Sequence, residues 1–204
     1  MDFENLLVNS SFSPIKIIAP QIDFESYISI DLSATFLLLN DVDVQSSDSL
    51  ASHINNYLKS HSKQVAYGGY LELRSLYNRS HHFHKHMENQ RNIHLGIDFW
   101  CTANTPVLSA FDGTIHSFKK NIAFGDYGPT IILEHCFDGM TFFTLYGHLS
   151  LDSIDHLEVG VEVKANEIIG YLGTADVNGD YPPHLHFQII KLKLSIRQPN
   201  NITR

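Results

Sequence analysis

The stretch Ile93-His94-Leu95-Gly96-Ile97-Asp98-Phe99 is written in strand grammar, with apolar residues at 93, 95, 97 and 99 alternating with His94, Gly96 and Asp98. In an extended strand alternate side chains share a face, so the histidine, the glycine and the aspartate point one way. Leu95, Ile97 and Phe99 point the other way and read as the core face. Gly96 keeps the space between the imidazole and the carboxylate clear of a side chain. Those two groups suit a metal ion. A histidine bonded to an aspartate is also an ordinary structural pair, so this segment alone decides little about chemistry.

The same grammar continues downstream as short strands punctuated by turns. Strand-like runs cover Pro106–Ala110, Gly113–Ser117, Thr130–His135, Thr141–Tyr146, Ile168–Leu172 and His184–Ile190. Turn signals fall at Asp112-Gly113, Asp126–Pro129, Asp138-Gly139 and Asn178-Gly179. That rhythm predicts a mainly β, antiparallel domain. Upstream, residues 1–64 read as a small α+β packing or positioning region. Ile28–Leu39 has strand character there, and a helix starts at Ser47-Asp48, with Leu50, Ile54 and Leu58 on its apolar stripe. The domain of interest runs over 65–198. Its first part, 65–92, is a connection containing Gly68-Gly69 and the tract His81-His82-Phe83-His84-Lys85-His86, which reads as a solvated loop.

The chain holds 13 histidines, and their placement carries the chemistry. In His184-Leu185-His186-Phe187-Gln188 the two imidazoles share one face and Leu185 and Phe187 the other. Two imidazoles in one cavity are costly unless a metal or a water uses their nitrogens. Tyr146-Gly147-His148-Leu149 ends an apolar strand and can present His148 to a cleft, with Tyr146 as a packing residue. Three separated segments thus present histidine to one side, and one adds a carboxylate. Three protein ligands with an open position make the catalytic zinc pattern, leaving further histidines for proton transfer.

The totals narrow the field. A length of 204 residues, 43% apolar and 18% charged, supports an ordinary buried core without staples. Net charge is −8, from 22 acidic and 14 basic residues, which repels a phosphate backbone and argues against nucleic acid as a partner. Cys101 and Cys136 read as two buried thiols. No apolar run is long enough to span a bilayer. No basic-then-apolar secretory start is visible, so the cytoplasm is the default location.

His94, Gly96 and Asp98, then Tyr146, His148 and Leu149, then His184–Phe187, resemble in this order the lysostaphin-type (LytM-like) zinc metallopeptidases. The connecting text is similar too, at Thr105-Pro106-Val107, Gly113-Thr114-Ile115, Gly160-Val161 and Gly170–Gly173. The resemblance covers about residues 92–190. It implies that His94, Asp98 and His186 ligate zinc (Zn2+) and that His148 and His184 are catalytic. It also implies an antiparallel sheet platform of the duplicated hybrid motif type, with a groove walled by loops. The implied activity is that of a metalloendopeptidase acting on peptide or peptidoglycan, which lies in the cell envelope. Asn104 stands where the family commonly has glycine, Asp180–Pro183 replaces a Thr-Gly step, and Gln188 replaces a frequent glutamate. Two rivals remain: a catalytically silent peptide- or peptidoglycan-binding module on the same fold, and a domain in which metal serves only structure.

Overall fold

The computed structural model describes residues 14–39, 42–43, 46–74, 93–121 and 123–191. Among these, the strands are β1 (Tyr27–Ser29), β2 (Val65–Gly68), β3 (Ile97–Trp100), β4 (Pro106–Leu108), β5 (Gly113–Asn121), β6 (Gly128–Phe137), β7 (Met140–Gly147), β8 (Glu162–Val163), β9 (Ile168–Tyr171) and β10 (His184–Ile190). Two helices, α1 (Ala34–Leu39) and α2 (Ser47–Ser60), lie between β1 and β2. Eight strands form one sheet in the order β1-β2-β3-β10-β7-β6-β5-β8, and β4 pairs with β9 in a second. Only β1 and β2 run parallel; all other pairs are antiparallel. The molecule is mainly β, as its alternation predicts.

Local chemistry explains the long hairpin at the centre. Asp138 and Gly139 alone connect β6 to β7, with φ of 48° and 76°. Two consecutive positive φ values match the right-handed twist of the flanking strands, and Asp-Gly adopts them readily. Asn104, the departure from glycine noted above, has φ 62°. The position demands a left-handed backbone, which asparagine tolerates better than most residues.

The sheet separates two apolar clusters. The larger gathers Ile131, Leu133, Tyr146 and Leu185 from the main sheet with Val107, Leu149 and Leu172 around β4 and β9. The smaller gathers Ile30, Leu32, Ala66 and Trp100 with Leu50, Ile54 and Leu58. Those last three are the stripe read from the sequence, and α2 buries them as expected. Its N-terminus is capped by Ser46, whose side chain accepts the Ser49 N–H.

Three expectations change. Within Ile28–Leu39 only Tyr27–Ser29 overlaps a strand, while Ala34–Leu39 is helix, so a run of leucines was ambiguous between the two periods. Leu95 is exposed rather than facing the core, because the regular strand begins only at Ile97. Cys136 is exposed near the end of β6 and Cys101 is partly buried; both are free thiols. The tract His81–His86 lies outside the described residues.

Candidate functional site

Strand β10 organises the site by register. His186 pairs with Asp98 on β3 and with Gly147 on β7, and Asp98 pairs in turn with Gly68 on β2. This row crosses four strands, with a glycine at each end. His184 pairs with Trp100 in the next row on the same face. Leu185, Phe187 and Tyr146 point to the opposite face and join the larger core. One face of the sheet therefore carries the larger core, and the other carries the chemistry beside the smaller cluster.

His94, Asp98 and His186 are all buried and bring one ligand atom each to a common point. His94 Nε2 lies 2.8 Å from His186 Nδ1 and 3.2 Å from Asp98 Oδ1, and His186 Nδ1 lies 3.1 Å from Asp98 Oδ1. The other nitrogen of His94, Nδ1, is 2.9 Å from the Gly69 carbonyl and donates to it. That leaves a lone pair on Nε2, the arrangement by which a second partner fixes a ligating imidazole. His186 turns Nδ1 toward both other ligand atoms, while its Nε2 is buried with no hydrogen-bond partner among the described residues. Two ligands bound at zinc distances and a tetrahedral angle stand about 3.3 Å apart, so the donor set fits one such ion. A Cβ at Gly96 would come within 2.5 Å of the His186 ring. The glycine clears room for His186 itself.

Asp98 is held from behind. Arg74 Nη1 donates to Asp98 Oδ2, and Arg74 Nε donates to Glu72 Oε2 at 2.7 Å. Glu72 Oε1 accepts the backbone N–H of Leu32. Burial by itself would raise the Asp98 carboxyl, but Arg74, then His184, His186 and His94, hold it well below the usual carboxylate range. The carboxylate stays ionised although it is 1% exposed.

His148 and His184 sit beside this trio with ring centroids 4.1 Å apart. His148 Nδ1 donates to the Asn178 carbonyl and His184 Nδ1 to the Pro182 carbonyl, each at 2.8 Å. Burial, then the neighbouring histidine, pushes His148 well below its ordinary value. Burial is also the first cause for His184, which falls to about 4. Both rings are thus neutral at pH 7, with the proton on Nδ1 and a lone pair on Nε2. Strand alternation would turn His148 away from Gly147 and the site. Its φ of 62° reverses that turn, and its N–H is fixed by the Tyr127 carbonyl at 2.7 Å. The Tyr127 ring lies edge-on to His186 and tilted against His148.

All five residues singled out from the sequence therefore converge. Tyr146 packs as expected, with its hydroxyl accepting the Ala110 N–H. Sequence reasoning missed Arg74, Glu72, Trp100 and Tyr127. A lone arginine in an unpatterned connection carries no signal, and Trp100 reads simply as the end of a strand.

A model of Peptidase family M23 matches residues 92–198. Proteins named uncharacterized metalloprotease match from Buchnera aphidicola (33% identity over 111 residues, 54% of this chain and 27% of that protein) and Haemophilus influenzae (33% over 95 residues, 47% and 18%). The chain thus matches less than a third of the length of either relative. The catalytic domain of the antimicrobial peptidase lysostaphin from Staphylococcus simulans is similar at 29% identity and a TM-score of 0.39, covering 50% of this chain and 71% of that one.

Proposed function

The chain belongs to peptidase family M23, and on that footing we propose that it is a zinc-dependent endopeptidase. Its substrate on this reading is an amide bond in peptidoglycan stem peptides or cross-bridges, cut in the cell envelope. The observation that carries the reading is the joint placement of three ligand atoms 2.8–3.2 Å apart and two further imidazoles beside them.

His94 Nε2, Asp98 Oδ1 and His186 Nδ1 would hold the ion. Bound zinc supplies Lewis-acid polarisation and lowers the pKa of water to about 7. The remaining work belongs to side chains. His148 and His184 have each spent their N–H on a backbone carbonyl, so each offers the site a base and neither offers a donor. Whichever Nε2 takes the proton from water becomes the donor and returns it to the departing amine. The 4.1 Å between the rings disfavours a charge on both at once. A proton taken by one ring therefore has to leave before the other can hold one.

Zinc content and hydrolysis of purified sacculi and of glycine-rich or D-Ala-containing peptides test the proposal. His184→Ala is expected to keep its metal and lose turnover, whereas His186→Ala loses the metal. Equal loss of zinc from both variants while they stay folded would overturn the division of roles. Metal binding with no hydrolysis of any such substrate would favour a silent binding module.

A further inference from the structure

We propose that Trp100 is a positioning residue for His184, held in place by a helical layer made of α2 with Ile30, Leu32 and Ala66; this rests on the catalytic reading of His184. The indole and the imidazole are stacked, with centroids 4.0 Å apart and planes 18° apart. They are direct cross-strand partners between β3 and β10. On its other side the His184 ring meets His148. A single hydrogen bond, from Nδ1 to the Pro182 carbonyl, leaves an imidazole free to tilt about that bond. Two flanking rings remove that freedom and fix the direction in which Nε2 points.

Trp100 is itself fixed by packing. It is 1% exposed, and its indole N–H has no hydrogen-bond partner among the described residues. It shares the smaller core with Leu32, Leu50, Ile54 and Ala66. An aromatic residue that buries an unsatisfied donor yet keeps its place is held by its ring faces. The helical layer reaches the site at a second point. Ser47, the first residue of α2, donates through Oγ to Asp180 Oδ1 at 2.9 Å. Asp180 has φ 66° and lies between Asn178 and Pro182, whose carbonyls anchor the two histidine rings. The layer thus supports one imidazole through its face and both through the loop that carries their acceptors. Its role is aim.

Trp100→Leu and Trp100→Phe in the zinc-loaded full chain separate aim from bulk. Leucine keeps an apolar filling but offers no ring face; it is expected to lower kcat on the order of ten- to a hundredfold, with KM and zinc content little changed. Phenylalanine restores the stack and is expected to retain activity to within about threefold. An equal loss in both variants, or a loss carried by KM and zinc content, would overturn the proposal. The chain has one tryptophan, so indole emission is assigned to Trp100. Replacing the imidazole in His184→Ala is expected to change that emission in the folded, zinc-loaded protein; unchanged emission overturns the stack even where Trp100→Leu fails to fold. If the natural sequence cleaves no peptide, the peptidase reading fails, and the emission comparison still decides whether the two rings are coupled.

Discussion

Two neighbouring rows of side chains cross β3 and β10 on one face of the sheet, two residues apart along each strand. In the first, Asp98 pairs with His186, and Arg74 stands behind the carboxylate. In the second, Trp100 pairs with His184, and His148 lies against the imidazole. The first row keeps an ionised oxygen at a buried position by placing a guanidinium against it. The second keeps imidazoles neutral by burying them among other histidines, against the pull of the carbonyls that accept their N–H groups. Burial disfavours charge in both rows: the Arg74 guanidinium overrides it at Asp98, while neighbouring histidines reinforce it at His148 and His184.

Asp98→Asn attacks the charged row most directly. It removes a ligand and leaves the Arg74 guanidinium buried without its main counter-charge. Loss of one partner of a buried pair costs about 3–5 kcal/mol, so calorimetry should show a large fall in stability together with loss of zinc. His148→Asn probes the neutral row while suiting the left-handed backbone at 148. It should retain zinc and lower kcat by about a hundred- to ten-thousandfold, read from steady-state kinetics alongside metal content. Were it to lose metal like Asp98→Asn, the two rows would be one functional unit and the comparison would fail.

Arg74→Met sharpens the contrast inside the charged row. The ligands stay, but Asp98 loses the group that orients it, and zinc affinity measured by competition with a chelator should drop about 10- to 100-fold. The smallest effect concerns His135, another buried histidine held neutral, far from the metal ligands in sequence. Its Nδ1 donates to the Asp112 carbonyl, and burial lowers its pKa from 6.5. A folded state that refuses a proton is at full advantage above 6.5. It loses stability as pH falls below that value, where the unfolded chain binds the proton, by up to about 1.4 kcal/mol per pH unit. His135→Gln should therefore flatten the decline of melting temperature between neutral and mildly acid pH relative to the natural sequence.

Much of this was legible in the sequence because it is local. Period-2 alternation marked the strands after Ile93, Asp138-Gly139 marked a hairpin, and His-Leu-His placed two imidazoles on one face. What was not legible depends on distant partners. Arg74 acquires meaning only because residues 71–73 run alongside 93–94, through the Leu71 N–H to the His94 carbonyl and the His94 N–H to the Glu72 carbonyl. Trp100 looks like any strand-ending aromatic until α2 packs beneath it. Thr35–Leu39 fits either helix or strand by composition, and the chain is helical there. His148 was legible as a site residue, but the left-handed backbone that turns it there was not.

The pairing of β2 with β1 on one side, parallel, and with β3 on the other, antiparallel, has a practical consequence for anyone shortening this protein. A recombinant fragment beginning at Ile93 would keep every metal ligand and both spare histidines. It would also strip the neighbour from β3, baring a row of peptide groups and the indole of Trp100 to water. An open margin of that kind recruits other chains. Such a trimmed product is expected to self-associate, and light scattering would tell a sticky fragment from an inert one before any assay is run.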